Sequence, residues 1–207
     1  MTAIIDYGVG NLFSLKSSFA YIGEEAVVTN DPDKIMSADR VILPGVGAFG
    51  DAAKKLFDSG MADVLKKAAA EGIPILGICL GMQLLFERSY EYGEHEGLGF
   101  IEGSIRPIAD RVDTEEYKIP QIGWNALKFT EKKSPLHKYI NEGDHVYFVH
   151  SYYGSDCKKS LTATTEYGFD VTASVENGNV YGTQFHPEKS GDVGLKILKA
   201  FCEIQKS

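Results

Sequence analysis

Four short, almost wholly apolar runs limit what this chain can fold into more than any other feature: Ala3-Ile4-Ile5, Ala26-Val27-Val28, Arg40-Val41-Ile42-Leu43 and Pro74-Ile75-Leu76-Gly77-Ile78. The first ends in Asp6-Tyr7-Gly8-Val9-Gly10-Asn11, after which Leu12, Leu15, Phe19 and Ile22 recur at helical spacing. The third ends at Pro44-Gly45 and is followed by an Ala-, Lys- and Leu-rich helical segment over residues 51–70, and the fourth leads into a helix carrying Met82, Leu84, Leu85 and Phe86. Short apolar strands lacking polar alternation are covered on both faces. Strands that alternate with helices pair in parallel through right-handed crossovers, because parallel neighbours need a long return connection. The expected fold is therefore α/β, an open and mostly parallel sheet with helices on both faces.

Beyond residue 100 the pattern changes to strands at 101–107, 124–129, 145–148, 161–167, 171–176 and 180–183, separated by Gly, Asn, Asp and Pro, which predicts antiparallel additions to the sheet. A last helix with Leu195, Ile197, Leu198, Phe201 and Ile204 on one stripe would close a face. No linker-like tract or internal repeat interrupts the chain, so a single domain over 1–207 is expected, and its 207 residues suffice for one core without disulfide or metal support.

Charge and cysteine content narrow the function. With 21 Lys and Arg against 29 Asp and Glu, the net charge of −8 gives no broad attraction for nucleic acid or anionic membrane surfaces. No membrane-length apolar run and no signal segment is apparent, so a cytosolic protein is expected. Cys79, Cys157 and Cys202 form neither a disulfide framework nor a zinc pattern; Cys157, in the polar run Ser155-Asp156-Cys157-Lys158-Lys159, reads as a surface-loop thiol and Cys202 as packed in the last helix. Gly8-Val9-Gly10 has Phe13 where a dinucleotide fingerprint needs its third glycine, so no nucleotide cofactor is expected, and no metal set is formed.

The chemistry is concentrated in two segments. In Gly77-Ile78-Cys79-Leu80-Gly81 a strand breaks at a cysteine flanked by glycines two residues away on each side and resumes as a helix. That is the layout of a nucleophile elbow, which holds a side chain out on a tight turn at a helix start, where unpaired amides favour thiolate. Taken alone, a small buried hydrophobe is an equally good reading of Cys79. In Gln184-Phe185-His186-Pro187-Glu188, imidazole and carboxylate stand at i and i+2 on an extended segment and can lie side by side, with Glu188 holding one ring nitrogen while the other faces Cys79. Oxyanion donors could come from the Leu80 amide and from the loop Pro44-Gly45-Val46-Gly47, at the carboxyl end of a parallel strand, where open α/β sheets bind ligands. His150 could line the same pocket.

Pro44-Gly45-Val46-Gly47, Gly77-Ile78-Cys79-Leu80-Gly81-Met82-Gln83 and Gln184-Phe185-His186-Pro187-Glu188, in that order along the chain, resemble the class I (triad) glutamine amidotransferases, and the likeness runs from Ile4 to the last helix. Asp6-Tyr7-Gly8-Val9-Gly10-Asn11-Leu12, the PGVG loop, Gly123-Trp124-Asn125 and Val149-His150-Ser151-Tyr152 are similar to the family branch that serves histidine biosynthesis. The resemblance implies a flavodoxin-like fold and a Cys79-His186-Glu188 triad. It further implies oxyanion donors at Leu80, Val46 and Gly47, and a glutamine site formed by Gln83, Glu91, Ser151 and Tyr152. Glutamine would be the substrate, and its ammonia would pass to a (β/α)8-barrel synthase subunit, docked near Asn11 and Trp124, that makes imidazole glycerol phosphate and aminoimidazole carboxamide ribotide. Alternatives are a glutaminase subunit of pyridoxal phosphate synthase, a stand-alone thiol hydrolase of similar fold, and a non-catalytic binding module; the intact triad opposes the last.

Overall fold

The structure of the protein is a computed structural model that describes residues 1–206. The first half contains β1 (Thr2–Ile5), α1 (Leu12–Tyr21), β2 (Ala26–Thr29), α2 (Pro32–Met36), β3 (Arg40–Leu43), α3 (Phe49–Asp58), α4 (Met61–Ala70), β4 (Ile75–Ile78) and α5 (Leu80–Leu84). There follow β5 (Phe86–Ser89), β6 (His95–Glu96), β7 (Ile101–Pro107), β8 (Gln121–Ala126), β9 (Lys128–Phe129), β10 (His145–His150), β11 (Tyr152–Ser155), β12 (Leu161–Glu166), β13 (Asp170–Asn177), β14 (Val180–Thr183) and α6 (Gly191–Cys202).

The main sheet has the order β2-β1-β3-β4-β14-β13-β12-β9. Its first five strands are parallel and the last three antiparallel. Successive residues of each buried strand serve opposite faces. Ile4, Ile42 and Leu76 pack with Leu15 and Phe19 of α1 and Ile197, Leu198 and Phe201 of α6. Ala3, Ile5, Val41, Leu43 and Ile75 pack with α2, α3 and α4 through Ile35, Phe49, Leu56 and Leu65. Helices thus cover both faces, which is why the strands read as continuous apolar runs.

Four local expectations are corrected. The helical segment over 51–70 is two helices, because Gly60 takes a positive φ of 75° between α3 and α4. The helix after Cys79 ends at Leu84, and Phe86 opens β5, with its ring against Gly154 on β11. The strand expected at 124–129 starts at Gln121 and breaks at Leu127. The second-half strands do not all extend the main sheet: β8 and β10 form their own antiparallel pair, and β11-β7-β5-β6 form a separate sheet. Together these smaller sheets bring Tyr152, His150 and Glu91 over the carboxyl ends of the parallel strands, where the candidate site lies.

Candidate active site

Cys79 sits between β4 and α5 with φ 55° and ψ −111°, a strained conformation for a residue with a side chain. Close packing forces the turn: a Cβ on Gly77 would lie 2.6 Å from the Gly81 carbonyl oxygen, and one on Gly81 would run into the Leu43 carbonyl of β3. The Cys79 amide donates to the Thr183 carbonyl at 2.7 Å, fixing the turn to the end of β14. The glycine spacing is therefore a steric requirement. Leu80 is the first residue of α5, so its amide lacks an intrahelical acceptor and is available to a ligand.

Three residues past β14, the His186 amide donates to the Tyr147 carbonyl of β10 at 2.9 Å. His186 Nδ1 is 2.7 Å from Glu188 Oε1, and both side chains are almost wholly buried. Only His186 is extended; Pro187–Lys189 form a 3₁₀ turn, so Glu188 reaches the ring by curling back rather than by the i, i+2 alternation of a strand. Ser190 clamps the segment, its Oγ donating to the His186 carbonyl at 2.7 Å and accepting from the Tyr147 amide at 2.9 Å. Burial alone would lower the His186 pKa. Hydrogen bonding to Cys79 and Glu188, reinforced by their charges, outweighs burial and raises it to about 9. The imidazole is thus protonated at neutral pH and positioned to give a proton to a leaving group. Because that proton is lost as pH rises, acylation is expected to fall through about pH 9. A single-turnover pH profile of leaving-group release checks this; a rate still climbing well above that pH would contradict it.

A cavity of about 580 Å³ opens beside Cys79 and His186 and is also lined by Val46, Gly47, Leu80, Gln83, Glu91, Ser151 and Tyr152. Two of these carry structural duties too. Glu91 Oε2 accepts from the Phe49 amide at 2.6 Å, anchoring the start of the helix that follows the Pro44–Gly47 loop. Burial raises the Glu91 pKa, opposed by the Phe49 hydrogen bond and by His95. Gln83 spends its amide NH2 on the Tyr152 carbonyl at 3.1 Å and on Gln184 Oε1 at 3.0 Å, leaving its own Oε1 as the atom it can turn to a substrate.

His150 lines the cavity as expected, its Nδ1 bound to the Tyr152 carbonyl at 2.7 Å and its pKa lowered to about 4, chiefly by burial. Sequence reasoning missed Tyr92, Ile119, Pro120 and Lys189 in the lining. It also missed Tyr7, whose hydroxyl donates to the Pro44 carbonyl at 2.8 Å. Gly10 (φ 122°) lies so close to Pro44 that a Cβ there would be 2.9 Å from the proline ring. The first glycine loop therefore braces the Pro44–Gly47 loop, the signal for which was the Asp6–Leu12 motif itself.

Asn11 and Trp124 lie outside the cavity lining. Asn11 Oδ1 accepts from the Ser14 amide at 3.3 Å and caps α1, while Trp124, 59% exposed, stacks at a tilt on Tyr147 with ring centroids 4.8 Å apart. Cys157 is not a surface thiol. It is buried, with Sγ between the Gly154 carbonyl and Thr172 Oγ1, and burial raises its pKa. Its polar neighbours hide one inward position that a run average cannot show. Cys202 is buried in α6, as expected.

A strained cysteine at a helix start, a buried His–Glu pair and a glycine loop meeting over the carboxyl ends of a parallel sheet form the arrangement that acyl transfer at a cysteine requires. The profile of the family described as glutamine amidotransferase class-I matches residues 3–204, and the chain belongs to that family.

The relatives narrow the group. The chain is 48% identical over 205 residues to the imidazole glycerol phosphate synthase subunit HisH of Wolinella succinogenes, covering 99% of this chain and 100% of that one. It is 50% identical over 206 residues to the protein of the same name from Sulfurimonas denitrificans, covering 99% of each. Among solved structures, one described as a glutamine amidotransferase superposes with a TM-score of 0.73 at 20% identity, covering 97% of this chain and 98% of that one. PurLQS from Thermotoga maritima gives a TM-score of 0.73 at 20% identity, covering 97% and 96%. These two likenesses concern the fold.

Proposed function

We propose that this chain is the glutaminase subunit of an imidazole glycerol phosphate synthase, built as one amidotransferase domain over residues 1–207 and working in the cytoplasm. The observation that carries the chemistry is the 2.7 Å His186–Glu188 pair beside the Cys79 turn, within a cavity that also holds Gln83 and Glu91. Near full-length identity of about half to proteins named HisH supports the histidine pathway over a pyridoxal phosphate synthase partner or a stand-alone hydrolase. Among the described residues no helix is long and apolar enough to cross a membrane.

In this reading the Cys79 sulfur attacks the carboxamide carbon of glutamine, and the negative charge on the carbonyl oxygen is met by the Leu80 amide and the Val46-Gly47 segment. As the C–N bond breaks, His186 gives its proton to the departing nitrogen, and ammonia leaves behind a glutamyl thioester. His186 then takes a proton from water, hydroxide adds to the thioester, and Cys79 leaves as glutamate forms. Glu188 holds the ring through Nδ1. Gln83 Oε1, Glu91 and the Ser151-Tyr152 wall bind the amino-acid end of glutamine.

The ammonia passes to a synthase subunit, a (β/α)8 barrel that covers the loop end near Asn11 and Trp124. Trp124 and its exposed neighbour Ile122 on β8 give that face an apolar anchor. Glutamate release by the chain is expected to rise when the barrel subunit and its nucleotide substrate are added. Trp124→Ala should then weaken the complex or make glutamate form faster than imidazole product. Unchanged affinity together with unchanged coupling would remove Trp124 from the interface, and glutamate release indifferent to the barrel subunit would remove the partner.

A further inference from the structure

Gln184 precedes the His186–Glu188 pair, is fully buried, and takes no part in the triad. Its side chain nevertheless reaches the reacting atom, with Gln184 Nε2 3.7 Å from Cys79 Sγ. Which end of that amide faces the sulfur is settled by a chain of hydrogen bonds anchored on the backbone. The Tyr152 carbonyl can only accept, so the Gln83 side-chain atom 3.1 Å from it is the NH2. That same NH2 lies 3.0 Å from Gln184, so Gln184 presents its oxygen to Gln83 and its own NH2 to the sulfur. In the order Tyr152 carbonyl, Gln83, Gln184, Cys79, turning over the Gln83 amide would lose its bond to the Tyr152 carbonyl, and turning over the Gln184 amide would set two NH2 groups against each other.

We propose that Gln184 is a further catalytic residue, whose NH2 donates to the Cys79 sulfur and stabilises its negative charge, and that Gln83 is the positioning residue that fixes the direction of that donor. A hydrogen bond to the charged form of a nucleophile favours that form. Attack consumes the charged form of the sulfur and hydrolysis regenerates it, so the same donor increases the share of Cys79 present as the nucleophile and stabilises the sulfur again as the leaving group. The arrangement also ties the nucleophile to Tyr152, part of the cavity wall, through side chains separated by 101 and 105 residues in sequence.

The inference rests on Cys79 as nucleophile, and the test separates the two. In the complex with the barrel subunit, Gln184→Met removes the donor at similar volume. It is expected to lower both the rate of Cys79 alkylation by iodoacetamide at neutral pH and kcat for glutamine by about tenfold or more, with KM changed less than about twofold. Gln83→Met should slow Cys79 alkylation more weakly, and the double variant should alkylate no more slowly than Gln184→Met alone, while KM rises in both because Gln83 Oε1 also faces glutamine. Circular dichroism and ammonia-dependent synthase activity report folding and assembly. Should Gln184→Met not fold, Gln184→Asn keeps an amide but draws it back from the sulfur and must show the same loss. A folded variant that alkylates and turns over at the unmodified rate, or that raises only KM, overturns the proposal. If Cys79→Ser itself keeps glutaminase activity, the nucleophile assignment falls instead.

Discussion

Cys79→Ser is expected to abolish glutamine-dependent synthase activity of the complex, by on the order of a thousandfold or more, while activity with added ammonium salts stays near the unmodified level. The hydroxyl keeps the size and position of the side chain, so the strained turn between β4 and α5 has no reason to relax. What is lost is the sulfur nucleophile: a serine hydroxyl is far harder to ionise than a thiol, and the hydrogen bond and charge of Cys79 that help keep His186 protonated are lost with it. Ammonia supplied from solution bypasses this whole site. Side-by-side glutamine- and ammonia-dependent assays decide the matter, and loss of both activities in an assembled complex would contradict the division of labour.

Val46→Pro is expected to depress glutaminase turnover by about a hundred- to a thousandfold while leaving glutamine binding within a few-fold, because one oxyanion donor carries that much. The substitution removes the Val46 amide and restricts its φ. Packing losses are small, since the Val46 side chain is 44% exposed. The loop is held at its first residue by Tyr7 and Gly10 against Pro44, whereas Gly47, at φ 95° with open space where a Cβ would be, leaves the adjoining Val46 peptide room to reorient. A peptide turned with its carbonyl toward the oxyanion position would be silent, and one turned with its amide inward would be active. The nucleotide substrate bound to the barrel subunit would choose between them, so Val46→Pro should also blunt stimulation by that nucleotide. Pre-steady-state glutamate release with and without the nucleotide measures both effects. Normal turnover and normal stimulation in Val46→Pro would place the second oxyanion donor elsewhere.

What could be read in the sequence was what local sterics dictate. Gly77 and Gly81 announce the Cys79 turn because no other residue fits beside Gly81 and the Leu43 carbonyl, and the apolar runs announce the two-faced sheet because burial on both sides leaves no polar alternation. The His186–Glu188 partnership was legible, but the route was not: a 3₁₀ turn rather than an extended segment brings the carboxylate to the ring. Features decided by distant parts of the chain were hidden. Phe86 has the spacing of a helix residue, yet it is drawn into β5, where its ring meets Gly154. Cys157 stands among charged residues and still turns inward toward Thr172. Gln184 meets both Cys79 and Gln83 only after the strands have assembled, so no local pattern marks those contacts.

The central claim is that glutamine is opened through a thioester on Cys79. Acid quenching of the complex during turnover of glutamine, followed by peptide mapping by mass spectrometry, tests it most directly. The account predicts a glutamyl adduct on the Cys79 peptide that forms before glutamate accumulates, decays as glutamate appears, and is absent from Cys79→Ser. Glutamate release at full rate with no adduct on Cys79, or with the adduct on Cys157 instead, would contradict it.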